Sequence, residues 1–299
     1  MTTPDQRTGA SAGGNPSWFG TGLNNFTLRI VSAAVLAPVV LLCAYFGGWV
    51  FFVLCAAAAA GVMWEWTRLV VTSADPRVLF PGLAALFVAL LLTGFDRPSA
   101  AIATVVIGAV FAGGLVSVWP RRFPARNPPF WAAGGVVYSG TLFLAPALIR
   151  RDPNLGLTAV LFIAATVWAT DIFAYLAGRS IGGPLLWPSV SPNKTWSGAI
   201  GGLIGGVAAA TLVAYASGIT KLAAVGLVAV VLSVLTQAGD LFESAVKRRF
   251  GAKDTSKLIP GHGGLMDRLD GFLVAALAAV LIGIVRQGTE APAQGLLVW

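Results

Sequence analysis

Hydrophobic residues occur along this chain in long runs rather than in the short alternating patches that are typical of a soluble domain. A helix needs roughly 17 to 25 apolar residues to cross about 30 Å of hydrocarbon. Runs of that kind lie at 29–47, 48–64, 79–95, 99–118, 131–149, 155–177, 197–218, 221–239 and 269–286. No strand alternation, tandem repeat or Walker loop is found beside them. The pattern predicts an all-α integral membrane protein, a polytopic helical bundle with about nine transmembrane helices.

The polar segments between these runs divide the chain. Residues 1–25 are rich in Gly, Ser, Thr and Asn and have no cleavable signal pattern, which predicts a disordered cytoplasmic tail. We assign 26–150 to the N-terminal transmembrane helices. Residues 151–299 form the C-terminal transmembrane region, the candidate catalytic part, with cytoplasmic loops at 179–197 and 240–270.

Composition supports the membrane assignment and limits the possible partners. Only 11% of the residues are charged and the mean hydropathy is +0.80, whereas about 25% charged residues are usual in soluble domains. The net charge of +8 could indicate nucleic acid, but 15 of the 20 Lys and Arg fall in segments that a cytoplasmic N-terminus and nine spans put in the cytoplasm. We therefore predict a multi-pass protein of the cell inner (plasma) membrane with no nucleic-acid partner.

Cysteine usage excludes two further classes of site. Cys43 and Cys55 both lie in apolar spans, where a thiol behaves as a small hydrophobic group. Two cysteines and one histidine are too few for a disulfide framework or a zinc centre.

The most unusual polar feature is the segment 240–270. It holds five carboxylates, six Lys or Arg and the chain's single histidine within 31 residues. Charge beside a membrane costs several kcal/mol unless it is paired, solvated or bound to a ligand. This segment is therefore the candidate active site.

The spacing within the segment indicates two acid-bearing helix ends. Asp240, Glu243 and Lys247, with Gln237 and Ser244, share one helical face, and Asp267 and Asp270 share a face at the start of the last span. A basic loop and the sequence PGHGG join the two ends. Carboxylates without His or Cys partners suit Mg²⁺. Acids, cations and glycine turns together are typical of phosphoryl or nucleotidyl transfer.

Simpler interpretations of the same residues exist. Juxtamembrane cations can serve only as topology signals that bind anionic lipid, and first-turn acids can simply complement a helix dipole. Neither explains why acids, cations and glycines occur together. We leave Glu65, Arg68, Arg121, Arg122 and Arg126 as interfacial charges.

The charged segment closely resembles a known signature. The run S-A-V-K-R, then K-D, then P-G-H-G-G-L-M-D-R-L-D between 244 and 270 is similar to that of the phosphatidate cytidylyltransferases, or CDP-diglyceride synthases. Upstream, D-x-x-A-Y-x-x-G-R at 171–179 and S-P-N-K-T-W-S-G at 191–198 resemble two further segments of that family. Asn193 and Ser197 depart from it, since they stand where Lys and Glu are usual. Net charge is unchanged, so we interpret the two as variation in how the loop is held, and their catalytic role is open.

The resemblance implies transfer of the cytidylyl group of CTP to phosphatidic acid in phospholipid biosynthesis, with Mg²⁺ as cofactor. It implies Asp240 and Asp267 as metal ligands, with Glu243 and Asp270 as additional ligands. The catalytic set would also include Lys247, Arg248, Lys253 and Arg268 on the phosphates and His262 as a donor to the pyrophosphate leaving group. Substrate-binding residues would be Ser191, Lys194, Thr195, Asp171, Tyr175, Gly263 and Gly264.

Several alternatives stay open at this point. The 191–195 segment could be only a capped entry to the seventh span, with Thr195 or Ser197 as N-cap, and Asp171 could be a purely structural partner of a neighbouring helix. Another membrane enzyme that uses CTP or a lipid phosphate, such as a polyprenol kinase, would share Mg²⁺ and basic loops. An ion-coupled transporter would also explain intramembrane acids. The Gly- and Ala-rich helix faces make a homodimer possible.

Overall fold

The computed structural model describes residues 25–71, 75–118, 128–256, 258 and 263–299. The predicted tail up to residue 24 lies outside these residues, as do Arg121, Arg122 and Arg126. The described chain is a helical bundle, so the all-α prediction is confirmed. Its helices are α1 Asn25–Phe46, α2 Gly48–Val71, α3 Pro76–Gly94, α4 Pro98–Val118, α5 Pro128–Arg150, α6 Gly156–Ile181, α7 Trp196–Ala216, α8 Leu222–Arg249, α9 Met266–Gln287 and α10 Pro292–Leu297.

Eight helices within the described residues, α2 to α9, are long and apolar enough to cross a membrane. They make the chain a multi-pass membrane protein. The first run contributes a shorter apolar stretch, Ala34–Phe46, within α1. A ninth crossing by α1 therefore stays a prediction.

Two small elements were not predicted. An antiparallel hairpin of β1 Leu185–Trp187 and β2 Ser191–Thr195 joins α6 to α7, with Leu185 opposite Thr195 and Trp187 opposite Ser191. These strands of three and five residues are too short to produce an alternating pattern. The short α10 packs on α9, with Ala293, Leu296 and Leu297 fully buried.

The helices enclose a core centred on α5. In the 18-residue apolar stretch of α5 that is long enough to be a membrane span, 78% of the residues are buried inside the protein. The corresponding shares are 28% for α7 and 33% for α4. The helices α4 and α7 are therefore peripheral, and the apolar residues on their outer faces suit contact with lipid.

Glycines bring α6 and α7 into backbone contact. A Cβ added to Gly202 would lie 2.8 Å from the Thr170 carbonyl oxygen, and one added to Gly198 would lie 2.8 Å from the carbonyl oxygen of Ala174. Since lipid offers no hydrophobic drive for helix association, such close approach supplies much of the packing energy. This contact fixes the hairpin against the end of α6.

A second glycine contact joins α8 and α9 beside the charged segment. A Cβ on Gly239 would lie 2.7 Å from the Asp270 carbonyl oxygen, and a Cβ on Gly271 would lie 2.8 Å from the Thr236 methyl group. Gly239 precedes Asp240 and Gly271 follows Asp270 in the sequence. The crossing point of the two helices thus holds these two acids close together.

Candidate active site

The ends of α6, α8 and α9 and the hairpin surround one large cavity of about 1150 Å³. One part of its wall is apolar and comes from α1, α2, α5 and α6, including Leu41, Phe51 and Val160. The other part carries the polar side chains Asp171, Tyr175, Arg179, Ser191, Asn193, Lys194, Thr195, Gln237, Asp240, Glu243, Lys247, Asp267, Arg268 and Asp270. Most of the residues predicted from the sequence therefore meet at a single site.

Three carboxylates converge on this wall. Asp240, Glu243 and Asp270 each offer one oxygen, and these oxygens lie within 4.8 Å of one another. Glu243 is 1% exposed and Asp270 is 8% exposed. The Oε1 atom of Glu243 is buried and has no hydrogen-bond partner among the described residues. Because buried polar atoms normally have partners, this oxygen and the three-acid cluster fit a hard cation such as Mg²⁺.

Lys247 connects this cluster to the start of α9. Its Nζ atom lies 2.7 Å from Oε2 of Glu243 and 2.8 Å from Oδ1 of Asp267. The other oxygen of Asp267 accepts hydrogen bonds from the backbone N–H groups of Gly264, at 2.9 Å, and Thr255, at 3.2 Å. Asp267 therefore binds two partners: the side chain of Lys247 and the backbone of the loop between α8 and α9. Its role as a metal ligand stays a prediction, while the geometry brings Asp270 beside Asp240.

The hairpin presents one cation to the cluster. Lys194 forms an ion pair with Asp240, and Ser191 and Asn193 lie on the same cavity wall. Thr195 accepts a hydrogen bond from the Gly198 N–H at 3.1 Å and is the N-cap of α7. The predicted capped entry is thus confirmed, and it places Lys194 towards the acids.

Ser197 has a clear structural role. Its hydroxyl group lies 3.0 Å from the Thr195 hydroxyl and donates to the carbonyl of Gly182 at the end of α6. The departure from the family pattern at this position thus serves to hold the loop to α6, as interpreted from the sequence.

The predicted polar stripe of α6 lies on the cavity wall. Asp171, Tyr175 and Arg179 all line the cavity, and Arg179 donates a hydrogen bond of 2.7 Å to the Tyr175 hydroxyl. Asp171 is therefore placed to meet a ligand in the cavity.

Four predicted residues in the described part of the chain do not line this cavity. Arg248 and Lys253 are exposed and do not line it. His262 lies outside the described residues. Gly263 has a positive φ of +86°, and a Cβ on Gly264 would lie 1.9 Å from the Thr255 hydroxyl oxygen. These two glycines permit a tight loop against α9, which is a structural reason for their presence.

The structure corrects one expectation from the sequence. Glu65 of α2 is not an interfacial charge, because it is 0% exposed and accepts hydrogen bonds from the N–H groups of Leu265 and Met266, at 2.8 and 2.6 Å. An acid inside an apolar run was the only available signal, and its partner could not be predicted 200 residues away. Arg68 does lie outside the core, over the Trp64 ring at 4.7 Å.

The chain is thus a multi-pass membrane bundle with one large cavity, whose wall is apolar on one side and carries acids and cations on the other. Residues 27–285 match the cytidylyltransferase family. The chain therefore belongs to that family and is a nucleotidyltransferase.

Proteins similar to this chain align with 83–90% of its length. A phosphatidate cytidylyltransferase of Brucella suis is 39% identical over 270 residues, which cover 90% of this chain and 97% of that protein. One from Haemophilus influenzae is 33% identical, covering 83% and 94%. One from Thermotoga maritima is 30% identical, covering 89% and 99%. The resemblance found in the sequence motifs is thereby confirmed for the chain as a whole.

Proposed function

We propose that this protein transfers the cytidylyl group of CTP to phosphatidic acid in a Mg²⁺-dependent reaction, giving CDP-diacylglycerol and pyrophosphate. The observation that carries the proposal is a single cavity in which acids and cations at one end adjoin an apolar wall. The names of the similar proteins support the same pair of substrates.

The two parts of the cavity fit the two parts of a phospholipid. The apolar wall includes Leu41 and Ala44 of α1, Phe51 of α2 and Val160 of α6. Acyl chains would lie against these residues and bury apolar surface there. The phosphate of the lipid would then face Lys194 and Arg268 at the polar end, where CTP would also enter.

A divalent cation fits the polar end. We propose that Asp240, Glu243 and Asp270 hold Mg²⁺, and that Asp267 acts beside them as a further ligand or through Lys247. Bound Mg²⁺ would neutralise phosphate charge and polarise the reacting phosphate oxygens. Among the described residues the three clustered acids pair with two lysines, Lys194 and Lys247, and an added positive charge would offset the repulsion between like charges at this separation.

The reaction needs positioning more than proton transfer. A phosphate monoester is already largely ionised near neutral pH. One of its oxygens would attack the α-phosphorus of CTP, forming a P–O bond as the bond from that phosphorus to the bridging oxygen breaks. Lys194, Lys247 and Arg268 would hold the phosphates in line. Asp171 and Tyr175 would contact the nucleotide, and His262 would donate to the leaving pyrophosphate.

We also propose that the site faces the cytoplasm of a cell with the protein in its inner membrane, and that Lys253 marks that side. A Lys253→Cys variant in oriented vesicles should react with an impermeant maleimide only from the cytoplasmic side. Labelling from the opposite side would refute the orientation.

We also propose that two copies of the chain form a homodimer through their Gly- and Ala-rich helix faces. The mass of the purified protein in detergent checks this proposal.

The central experiment uses purified protein with labelled CTP, Mg²⁺ and phosphatidic acid. The expected product is CDP-diacylglycerol, with no product when EDTA removes the metal. Diacylglycerol or a polyprenol as acceptor, with CTP as phosphate donor, tests the kinase alternative. Phosphorylation of either acceptor without formation of CDP-diacylglycerol would refute the proposal.

A further inference from the structure

Glu65 lies in α2, far from the charged segment 240–270 in the sequence, yet its carboxyl group contacts four residues of that segment. Oε1 accepts from the N–H of Leu265 at 2.8 Å and from the Ser256 hydroxyl, and Oε2 accepts from the N–H of Met266 at 2.6 Å. The Thr255 hydroxyl lies 3.3 Å from Oε2. Among the described residues, no Lys or Arg forms an ion pair with Glu65.

These contacts meet a need of α9. The first N–H groups of a helix have no partner within the helix, and the N-cap residue here is Leu265, whose side chain cannot accept a hydrogen bond. Glu65 supplies the missing acceptor from another helix. A negative group is also favoured there by the helix dipole. Among the described residues, this buried acid of a membrane helix is thereby satisfied by hydrogen bonds rather than by an ion pair.

The start of α9 that Glu65 holds is connected to the carboxylate cluster. Thr255 lies between Glu65 and Asp267, with its hydroxyl oxygen 3.1 Å from Oδ2 of Asp267. Asp267 pairs with Lys247, and Lys247 pairs with Glu243, one of the three clustered acids. Four contacts therefore lead from α2 to the proposed metal site.

We infer that Glu65 is a positioning residue for the reaction: it caps α9 from α2 and so fixes the Asp267–Lys247–Glu243 chain that orients the site. The inference rests on the proposed function only for its kinetic consequence, since the capping itself can be measured without substrate or metal.

Glu65→Gln is the sharpest test because it keeps the size of the side chain. In either orientation the amide nitrogen replaces one oxygen, so either Leu265 or Met266 loses its acceptor. We expect kcat to fall about 10- to 100-fold, as for groups that hold ligands in place, with KM for CTP changed much less. In metal-free protein, the amide of Leu265 or Met266 should exchange hydrogen about tenfold faster.

Thr67→Val is the matched control. Thr67 lies two residues further along α2, is also fully buried, and among the described residues donates to the Met63 carbonyl of its own helix alone. This variant should keep kcat and both amide exchange rates within about twofold. A Glu65→Gln enzyme with wild-type kcat, or an equal loss of kcat in Thr67→Val, would overturn the inference.

Thr255→Val covers the case in which Glu65→Gln does not fold. It removes the hydroxyl between Glu65 and Asp267 but keeps the backbone N–H that Asp267 also accepts. A fall in kcat of roughly threefold or more supports the chain of contacts, and an unchanged kcat refutes it. If the wild-type protein makes no CDP-diacylglycerol, the proposed function fails instead, while the amide exchange still decides whether Glu65 caps α9.

Discussion

The two ends of the helical bundle both bury charged side chains, but they satisfy them differently. At the site end, Asp240, Glu243 and Asp270 cluster within 4.8 Å, and one buried oxygen of Glu243 has no partner among the described residues. Within the described part of the chain, Lys194 pairs with Asp240 and Lys247 pairs with Glu243. The acids at this end fit a ligand that brings positive charge.

At the opposite end, cations are bound by the protein itself. Arg150 at the end of α5 donates to the carbonyls of Ala44, at 2.6 Å, and Tyr45, at 3.0 Å, at the end of α1. Arg286 donates to the Gly295 carbonyl and lies 3.5 Å from the centre of the Trp299 ring. Cations near helix C-termini complement the dipole and bind carbonyls that lack partners.

The difference shows that charge density alone does not identify a site. Both ends contain partly buried charges in an apolar chain. What separates them is that carbonyl groups bind Arg150 and Arg286 at one end, whereas at the other a buried oxygen in a cluster of acids has no hydrogen-bond partner among the described residues. The first end should contribute stability, and the end with the clustered acids should contribute activity.

The largest expected effect comes from removing one acid of the cluster. Asp240→Asn or Asp270→Asn should lower the rate of CDP-diacylglycerol formation on the order of 100-fold or more, because the proposed metal loses a charged ligand. Thermal stability should not fall, since repulsion among the acids is relieved. Activity assays and thermal unfolding of the same detergent-purified samples provide both measurements.

Asp96→Asn is the control at the opposite end, where the exposed Asp96 pairs with the mostly buried Arg151. It should leave the rate within about twofold of wild type, because neither side chain lines the cavity. A comparable loss in both variants would contradict the division between the two ends. An Asp270→Asn enzyme with full activity would remove Asp270 from the proposed metal site.

The next effect concerns the helix crossing that brings the acids together. Gly239→Ala should destabilise the protein by about 1–3 kcal/mol, because its Cβ would lie 2.7 Å from the backbone oxygen of Asp270. Activity should fall with it as Asp240 and Asp270 separate. The measurements are the unfolding midpoint and the rate per folded molecule.

Gly226→Ala is the matched control on the same helix. The Cβ added there meets only the Thr211 hydroxyl, at 3.7 Å. Since Ala is the better helix former, this change should be neutral or raise stability by up to about 1 kcal/mol. Equal destabilisation at both positions would show that the α8–α9 contact is not the cause.

The sequence predicted the parts of the structure that depend on local pattern. The apolar runs marked α2 to α9 to within a few residues at most ends, and the spacing of Asp240, Glu243 and Lys247 placed them together on α8. The polar segments could be assigned to one site because their residue types and motifs match a known signature.

The remaining features depend on tertiary contacts that one sequence does not encode in a recognisable pattern. Whether Asp267 or Asp270 lies beside Asp240 and Glu243 depends on the rotation of α9 about its own axis. Gly239 and Gly271 set that rotation at the crossing of α8 and α9. Glu65 could be interpreted only once its contact with Leu265 was known. The hairpin is held by the Ser197–Gly182 hydrogen bond, and its strands are too short to be predicted.

At the opposite end we expect a smaller effect, in which stability falls while activity is kept. This is the reverse of the effect expected for Asp240→Asn and Asp270→Asn. Arg150→Ala removes donors from the carbonyls of Ala44 and Tyr45 and should lower stability by about 1–3 kcal/mol. The rate per folded molecule and KM for CTP should stay within about twofold of wild type, because Arg150 does not line the cavity. A selective loss of kcat with unchanged stability would mean that this end also takes part in catalysis.

The smallest effect should come from Ser197, which holds the hairpin without touching the acids. Ser197→Ala removes the hydroxyl that bonds Gly182 and Thr195, at a cost of about 1 kcal/mol. Lys194 would be held less firmly against Asp240, so KM for CTP should rise a few-fold while kcat changes little. Ser217→Ala, at the exposed far end of α7, should change neither. An unchanged KM in Ser197→Ala would mean that the capping of α7 by Thr195 alone positions Lys194, and that the departure from the family pattern at 197 is without consequence for the site.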